Sequence, residues 1–217
     1  KLLPFQPVGC GQGEATLLEQ ISQRAAFVLE NPVPDEFFRI PRRPSTPPVV
    51  LTVGRVCEQK APERFADLAL QAEIRELGAR FVWVGGGDEQ GEALLRGAGV
   101  EVTGWLPAAE VREHMSQATL YVQTSRWEGM PLSVVQAMAA GLPCLVTDVV
   151  GNRDAIRHGR TGLIAADTAE LLSQITHLLE QPAERARLGL AAQQDAQHRF
   201  GQDRFRHSLR MLYGLTT

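Results

Sequence analysis

The sequence has too little cysteine to be a disulfide scaffold. Its three cysteines, Cys10, Cys57 and Cys144, are odd in number and far apart. No pair has CxxC or zinc-ligand spacing, so a reduced compartment is expected. The five histidines are scattered, and none pairs with another at metal-binding spacing, so no metal site is expected. Positive charge is not in excess either. The 22 Lys and Arg against 25 Asp and Glu leave a net charge of −3, and without a basic field no nucleic-acid partner is expected. No apolar run reaches about 18 residues, so no membrane span is expected. The expected location is cytoplasmic, with peripheral membrane attachment left open for the full-length protein. The chain starts at Lys1 in mid-pattern, as expected of a fragment of a longer protein.

What the chain does have is apolar content and rhythm. Its 217 residues are 44% hydrophobic, enough for one large globular domain, with or without an added segment. Val49–Arg55 reads as a buried strand ending at glycine. Pro62–Gly78 follows as one helix, with Phe65, Leu68, Ala69 and Ala72 on one face. Further strands are expected at Arg80–Gly87, Val100–Trp105, Thr119–Thr124, Pro143–Asp148 and Thr161–Ala166. Helices are expected between them, at Asp88–Gly99 with Asp88 as cap, at Pro107–Ala118, at Pro131–Gly141 and at Gly151–Gly159. After residue 167 the pattern is all helical.

Strands and helices alternate, and the strands are continuous apolar runs, as when both faces of a sheet are covered. The expected fold is α/β: a doubly wound, parallel, six-stranded Rossmann-like sheet with extra C-terminal helices. Residues 1–48 do not share this rhythm. Gly13–Arg24 looks helical, Ala26–Val33 looks like a short strand, and the proline-rich Pro41–Pro48 reads as an extended connector. The expected division is 1–48 as the end of a preceding domain or a linker, and 49–217 as a Rossmann-like domain with C-terminal helices.

In such a sheet ligands bind beyond the carboxyl ends of the strands. The first strand end offers Arg55 and Lys60, a forked donor and a mobile point charge suited to a phosphate or diphosphate. The alternative is two solvated surface charges. The glycines of Gly85–Asp88 suit a tight turn better than a ligand cradle. The "GCGQG" at Gly9–Gly13 follows no convincing strand, so a dinucleotide role is not expected. Trp105 and Leu106 lie where a base would rest. The fourth strand end leads through Glu128 and Gly129 to Pro131, which suits a first helical turn. The N–H groups of Leu132 and Ser133 follow it at the positive end of a helix dipole, a ready anion site. Glu128 either faces a neutral polar group such as sugar hydroxyls or only favours the helix start. In the usual strand order the first and fourth strands are neighbours. Cations and a helix N-terminus then converge on a phosphate-bearing ligand.

Six stretches, in order, carry a resemblance: "ENPVPDEFF", "LTVGRVCEQKAPERFADLA", "FVWVGGGDE", "VTGWLPAAEV", "TSRWEGMPLSVVQAMAAGLPCLVTDVVGNRDAI" and "HGRTGLIA". Together they resemble the C-terminal, donor-binding half of GT-B-fold retaining glycosyltransferases of family 4, the group 1 type. The resemblance implies transfer of a sugar from a nucleoside-diphosphate sugar with retention, and no cofactor beyond that donor. It implies that Arg55 and Lys60 neutralise the diphosphate, helped by backbone N–H groups of Gly129, Met130, Leu132 and Ser133. Trp105 and Leu106 border the base. Glu128 meets the donor sugar and is the candidate catalytic residue. Family members usually carry a second glutamate eight positions on, reading the ribose; here Gln136 stands there. An amide accepts with only its oxygen, and a lost charge-assisted bond costs roughly 1–3 kcal/mol. The acceptor, a sugar or a lipid-linked sugar, would be bound by an N-terminal domain this chain does not include. Two rivals remain: a non-catalytic nucleotide-sugar-binding or scaffold module, and another GT-B enzyme such as a sugar-nucleotide epimerase.

Overall fold

A computed structural model describes residues 5–215. In chain order the elements are β1 (Val8–Gly9), α1 (Gln12–Ser22), β2 (Phe27–Val28), α2 (Asp35–Phe38), β3 (Val49–Val53), α3 (Pro62–Leu70), α4 (Ala72–Glu76), β4 (Arg80–Val84), α5 (Glu89–Gly97), β5 (Glu101–Val102), α6 (Ala108–Gln117), β6 (Leu120–Gln123), α7 (Leu132–Ala139), β7 (Cys144–Thr147), α8 (Val150–Ala155), β8 (Leu163–Ala165), α9 (Thr168–Glu180), α10 (Pro182–Phe200) and α11 (Gln202–Leu212). Six strands form one parallel sheet in the order β5-β4-β3-β6-β7-β8. The sequence runs outward from β3 on one side, then jumps to β6 and runs outward on the other. The switch point is therefore between β3 and β6.

Alternation along each strand splits the core in two. Val49 and Leu51 of β3, Tyr121 of β6 and Cys144 of β7 point to one face, with Val134, Val135 and Met138 of α7 and Ala192 and Ala196 of α10. Val50, Leu120, Val122 and Leu145 point to the other, with Phe65 and Leu68 of α3, Leu95 of α5 and Leu171 of α9. Both faces are sealed, which is why these strands read as unbroken apolar runs. Val33, Phe37 and Ile40 are buried in the first cluster, and the Val33 N–H donates to the carbonyl of Phe200 at 2.8 Å. Residues 33–40 thus share the core of the large sheet. No helix among the described residues is long and apolar enough to cross a membrane.

Two local expectations need correction. Residues 62–78 are not one helix: Gln71 is extended (φ −65°, ψ 140°) and separates α3 from α4. At about 100° per residue a continuous helix would put Ile74 about 180° from Phe65. The break resets the phase, so Ile74 is buried with Phe65 and Leu68 while Ala72 is exposed. The Gln71 amide also donates to the Asp67 carbonyl at 2.8 Å. Second, "GCGQG" does follow a strand, the two-residue β1, which pairs in parallel with β2. The helix start it leads to is already occupied. Asp154 Oδ2 accepts from the Gly13 N–H at 2.8 Å, and a Cβ on Gly11 would lie 2.5 Å from that same oxygen.

Candidate functional site

The site is built on the carboxyl ends of β3 and β6, the two strands at the switch point. β3 ends at Val53, and the Gly54 carbonyl beyond it is held by the Trp83 indole N–H at 2.8 Å. The neighbouring glycine turn exists for this approach. A Cβ on Gly85 would lie 2.1 Å from the Gly54 oxygen, and one on Gly87 would lie 2.3 Å from the Val56 oxygen. The Gly85–Asp88 glycines therefore serve backbone packing, with Asp88 capping α5 through the Gly91 N–H at 2.7 Å.

Arg55 follows, exposed and without an ion-pair or hydrogen-bond partner among the described residues. A 3-10 turn over Glu58–Lys60 then carries Lys60 back across the strand end. Ala61 is held at φ 51°, a left-handed conformation that disfavours a Cβ. What holds it is Thr124 at the end of β6, whose hydroxyl donates to the carbonyls of Lys60 at 2.8 Å and Ala61 at 3.2 Å. The two strand ends are thereby stitched together at the lysine.

Glu128, in the loop from β6 to α7, meets that lysine. Lys60 Nζ lies 2.6 Å from Glu128 Oε1, with the two side chains 17% and 5% exposed. The same oxygen accepts from Ser125 Oγ at 2.6 Å and Gln123 Nε2 at 3.2 Å. Among the described residues Oε2 meets only Gln59 Nε2, at 3.4 Å. Glu128 is therefore a fixed carboxylate with one oxygen saturated and the other nearly free. Beside it, the Leu132 and Ser133 N–H groups at the head of α7 have no acceptor among the described residues, as first-turn donors do when no cap is present. Pro131 is the residue before the first helical turn, with no side-chain cap.

Behind the carboxylate lies a polar network that sequence reading missed. Gln123, at the end of β6, is buried. Its Oε1 accepts from Tyr121 Oη and from Ser133 Oγ, both at 3.2 Å. Its Nε2 donates to Asn152 Oδ1 at 3.3 Å as well as to Glu128. Asn152 in turn donates to the Thr147 carbonyl at 2.8 Å, and Thr147 Oγ1 donates to the Ser125 carbonyl at 2.6 Å. Burial pushes the Tyr121 phenol well above its usual range, so its hydroxyl stays a neutral donor. The only signal in the sequence was a run of polar residues, Gln123–Ser125, ending an apolar strand.

Of the residues named from the sequence, Lys60, Glu128 and Ser133 meet in this one network. Gly129 and Met130 line the adjoining backbone: a Cβ on Gly151 would lie 2.2 Å from the Gly129 oxygen, and Met130 Sδ accepts from the Asn31 N–H at 3.3 Å. Trp105 stands two strands away, past β5, and is 70% exposed. A Cβ on Gly86 would lie 3.5 Å from its indole nitrogen, so the ring leans over the end of β4. Leu106 packs on the first core cluster. Gln136 is half-exposed on the same side of α7 as Leu132 and Ser133, one turn further in, and its amide has no side-chain partner among the described residues. Among those residues no group of three or more His, Cys, Asp or Glu is placed to hold a metal ion.

The chain is similar to known glycosyltransferases over most of its length. It is 32% identical over 161 residues to a GDP-mannose-dependent alpha-mannosyltransferase of Mycolicibacterium smegmatis, covering 73% of this chain and 41% of the relative. It is 31% identical over 155 residues to an N,N'-diacetylbacillosaminyl-diphospho-undecaprenol alpha-1,3-N-acetylgalactosaminyltransferase of Campylobacter jejuni, covering 69% and 40%. The chain spans about two fifths of the length of these curated relatives. An Anabaena protein crystallised with UDP and glucose superposes with a TM-score of 0.83 at 17% identity, over 97% of this chain and 63% of that one. This likeness shows the GT-B fold. Residues 47–181 match the family described as "Glycosyl transferases group 1", and the chain belongs to that family.

Proposed function

We propose that this chain is the donor-binding half of a retaining glycosyltransferase that takes its sugar from a nucleoside-diphosphate sugar. The observation that carries the reading is the convergence at the switch point. Arg55 and Lys60 leave β3 where the unpartnered N–H groups of Leu132 and Ser133 open α7 behind β6. A diphosphate suits both, since cations and a helix N-terminus stabilise the same charge. Similar proteins favour the same chemistry: one is named for GDP-mannose, another was solved with UDP and glucose. In this reading Arg55 and Lys60 neutralise the leaving diphosphate, and Glu128 turns its freer oxygen to the sugar hydroxyls. Trp105 and Leu106 border the base, and Gln136 faces the ribose. The acceptor is bound by the part of the full-length protein outside this chain.

A thermal-shift screen of UDP, GDP, ADP and their sugar conjugates tests this. A true ligand at a hundredfold over Kd stabilises by about 2.7 kcal/mol, a rise of roughly 5–10 °C for a chain of this size. Arg55→Ala and Lys60→Ala should each weaken binding. If both leave every nucleoside diphosphate bound as before, the site is wrong. Little or no transfer is expected from the chain alone; robust transfer would refute the division of labour.

A further inference from the structure

We infer that the Lys60–Glu128 ion pair discriminates between the sugar-loaded donor and the spent nucleoside diphosphate, favouring the first and expelling the second. The inference rests on the donor-binding reading above. It starts from a competition. Lys60 has one charge, and that charge is paired with Glu128, at 2.6 Å and largely out of water. A diphosphate at this strand end needs the same ammonium. When it takes Lys60, it leaves a buried carboxylate without its counter-charge and adds a second anion nearby, both unfavourable in a desolvated site.

Glu128 cannot escape the conflict by turning away. Ser125 and Gln123 hold its Oε1 independently of the lysine, and their own positions are fixed by Thr147, Asn152 and Tyr121. What it can do is accept from a ligand. Oε2, with only a 3.4 Å contact to Gln59 among the described residues, is the freer acceptor, and sugar hydroxyls are neutral donors that replace part of what Lys60 gave. A loaded donor therefore brings its own compensation. Once the sugar has left, the compensation leaves with it; Glu128 then reclaims Lys60 and the diphosphate loses a cation. Arg55 has no such rival among the described residues and serves both forms alike.

The test is the sign of one substitution. Glu128→Gln keeps the shape and one acceptor oxygen but removes the charge. Binding of UDP, GDP and ADP, and of UDP-glucose, GDP-mannose and ADP-glucose, is measured by calorimetry on the chain and on this variant. For whichever base binds, Glu128→Gln should tighten the bare diphosphate by about tenfold, while the sugar-bearing form gains less or weakens. In a Lys60→Met background the same substitution should tighten diphosphate less, because only the repulsion between the two anions is then relieved. If Glu128→Gln does not fold, Ser125→Ala serves instead. It strips Glu128 of a neutral donor, so the carboxylate holds Lys60 harder and bare diphosphate weakens severalfold. Glu128→Gln leaving the bare diphosphate unchanged or weaker, or Ser125→Ala tightening it, overturns the inference while the donor site stands. Failure of the unmodified chain to bind any of the six compounds overturns the donor site itself, and this inference with it.

Discussion

Replacing Gln123 with leucine should cost this domain about 3 kcal/mol, and the cost comes from its neighbours. Leucine fills nearly the same volume, so no large cavity opens. What is lost is four hydrogen bonds, to Tyr121, Ser133, Glu128 and Asn152. Their consequences differ. Ser133 is half-exposed and can turn to water. Glu128 keeps Lys60 and Ser125. Asn152 Oδ1, in a fully buried residue, loses its donor, and the Tyr121 hydroxyl is left with the Val53 carbonyl at 3.4 Å. Each stranded polar group costs about 1–3 kcal/mol; bonds of 3.2–3.3 Å place both near the middle or lower part of that range. At about 2–4 °C per kcal/mol, the melting midpoint should fall roughly 6–12 °C, checked by thermal and urea unfolding. The sharper check is a rescue. Tyr121→Phe alone should destabilise by about 1 kcal/mol, but in the Gln123→Leu background it should be neutral or stabilising, because it removes the stranded hydroxyl. A loss under about 1 kcal/mol for Gln123→Leu, or additive losses for the pair, would show that these contacts do not hold the network together.

Gly85→Ala should be far worse than Gly78→Ala, although both glycines have positive φ. The first puts a methyl 2.1 Å from the Gly54 oxygen, the second puts one in open space, so unfolding should show a loss above about 3 kcal/mol against about 1–2 kcal/mol. Gln136→Glu should tighten nucleotide binding about tenfold if that residue meets the ribose diol; no change, or weaker binding, in a titration with the nucleotide identified by screening would remove Gln136 from the site. Cys10 should resist alkylation. Its thiol is pushed up to about 11, first by burial and then by donating to Glu14 Oε2 at 2.8 Å, so at pH 8 its thiolate fraction is about a hundredfold below that of a thiol at 9. The thiolate becomes the major form only above that raised value, and Glu14→Gln should bring this to lower pH; equal iodoacetamide rates in the two proteins would refute the assignment.

The sheet was legible because burial on both faces leaves a one-dimensional signature. Val49–Val53, Leu120–Gln123 and Cys144–Thr147 need apolar residues at successive positions, and that pattern survives in the sequence without any knowledge of partners. The break at Gln71 was not legible. Phe65, Leu68, Ala69 and Ala72 make a good helical face by themselves, and only the demand that Ile74 be buried, set by the sheet beneath, shows that the phase must reset. The site divides in the same way. Arg55, Lys60 and Glu128 stood at strand ends, where topology alone points to ligands. Gln123 did not stand out, since its partners lie as far as 29 residues away, at Asn152. A buried amide is marked by what surrounds it, and no spacing along the chain encodes that. Glu128 falls between the two cases. Its position was readable, but whether it merely assists a helix start or competes for a cation depends on the 2.6 Å to Lys60, and Thr124 helps to set that distance by tying the lysine turn to the end of β6, alongside the Arg126 N–H on the Gln59 carbonyl at 2.8 Å. The chemistry of the site thus depends in part on a hydroxyl behind the ion pair, and Thr124→Val, which keeps the shape and removes the donor, should loosen Lys60 from Glu128 and narrow the difference in affinity between bare and sugar-bearing diphosphate. An unchanged difference would mean that the two strand ends hold the lysine without that hydroxyl.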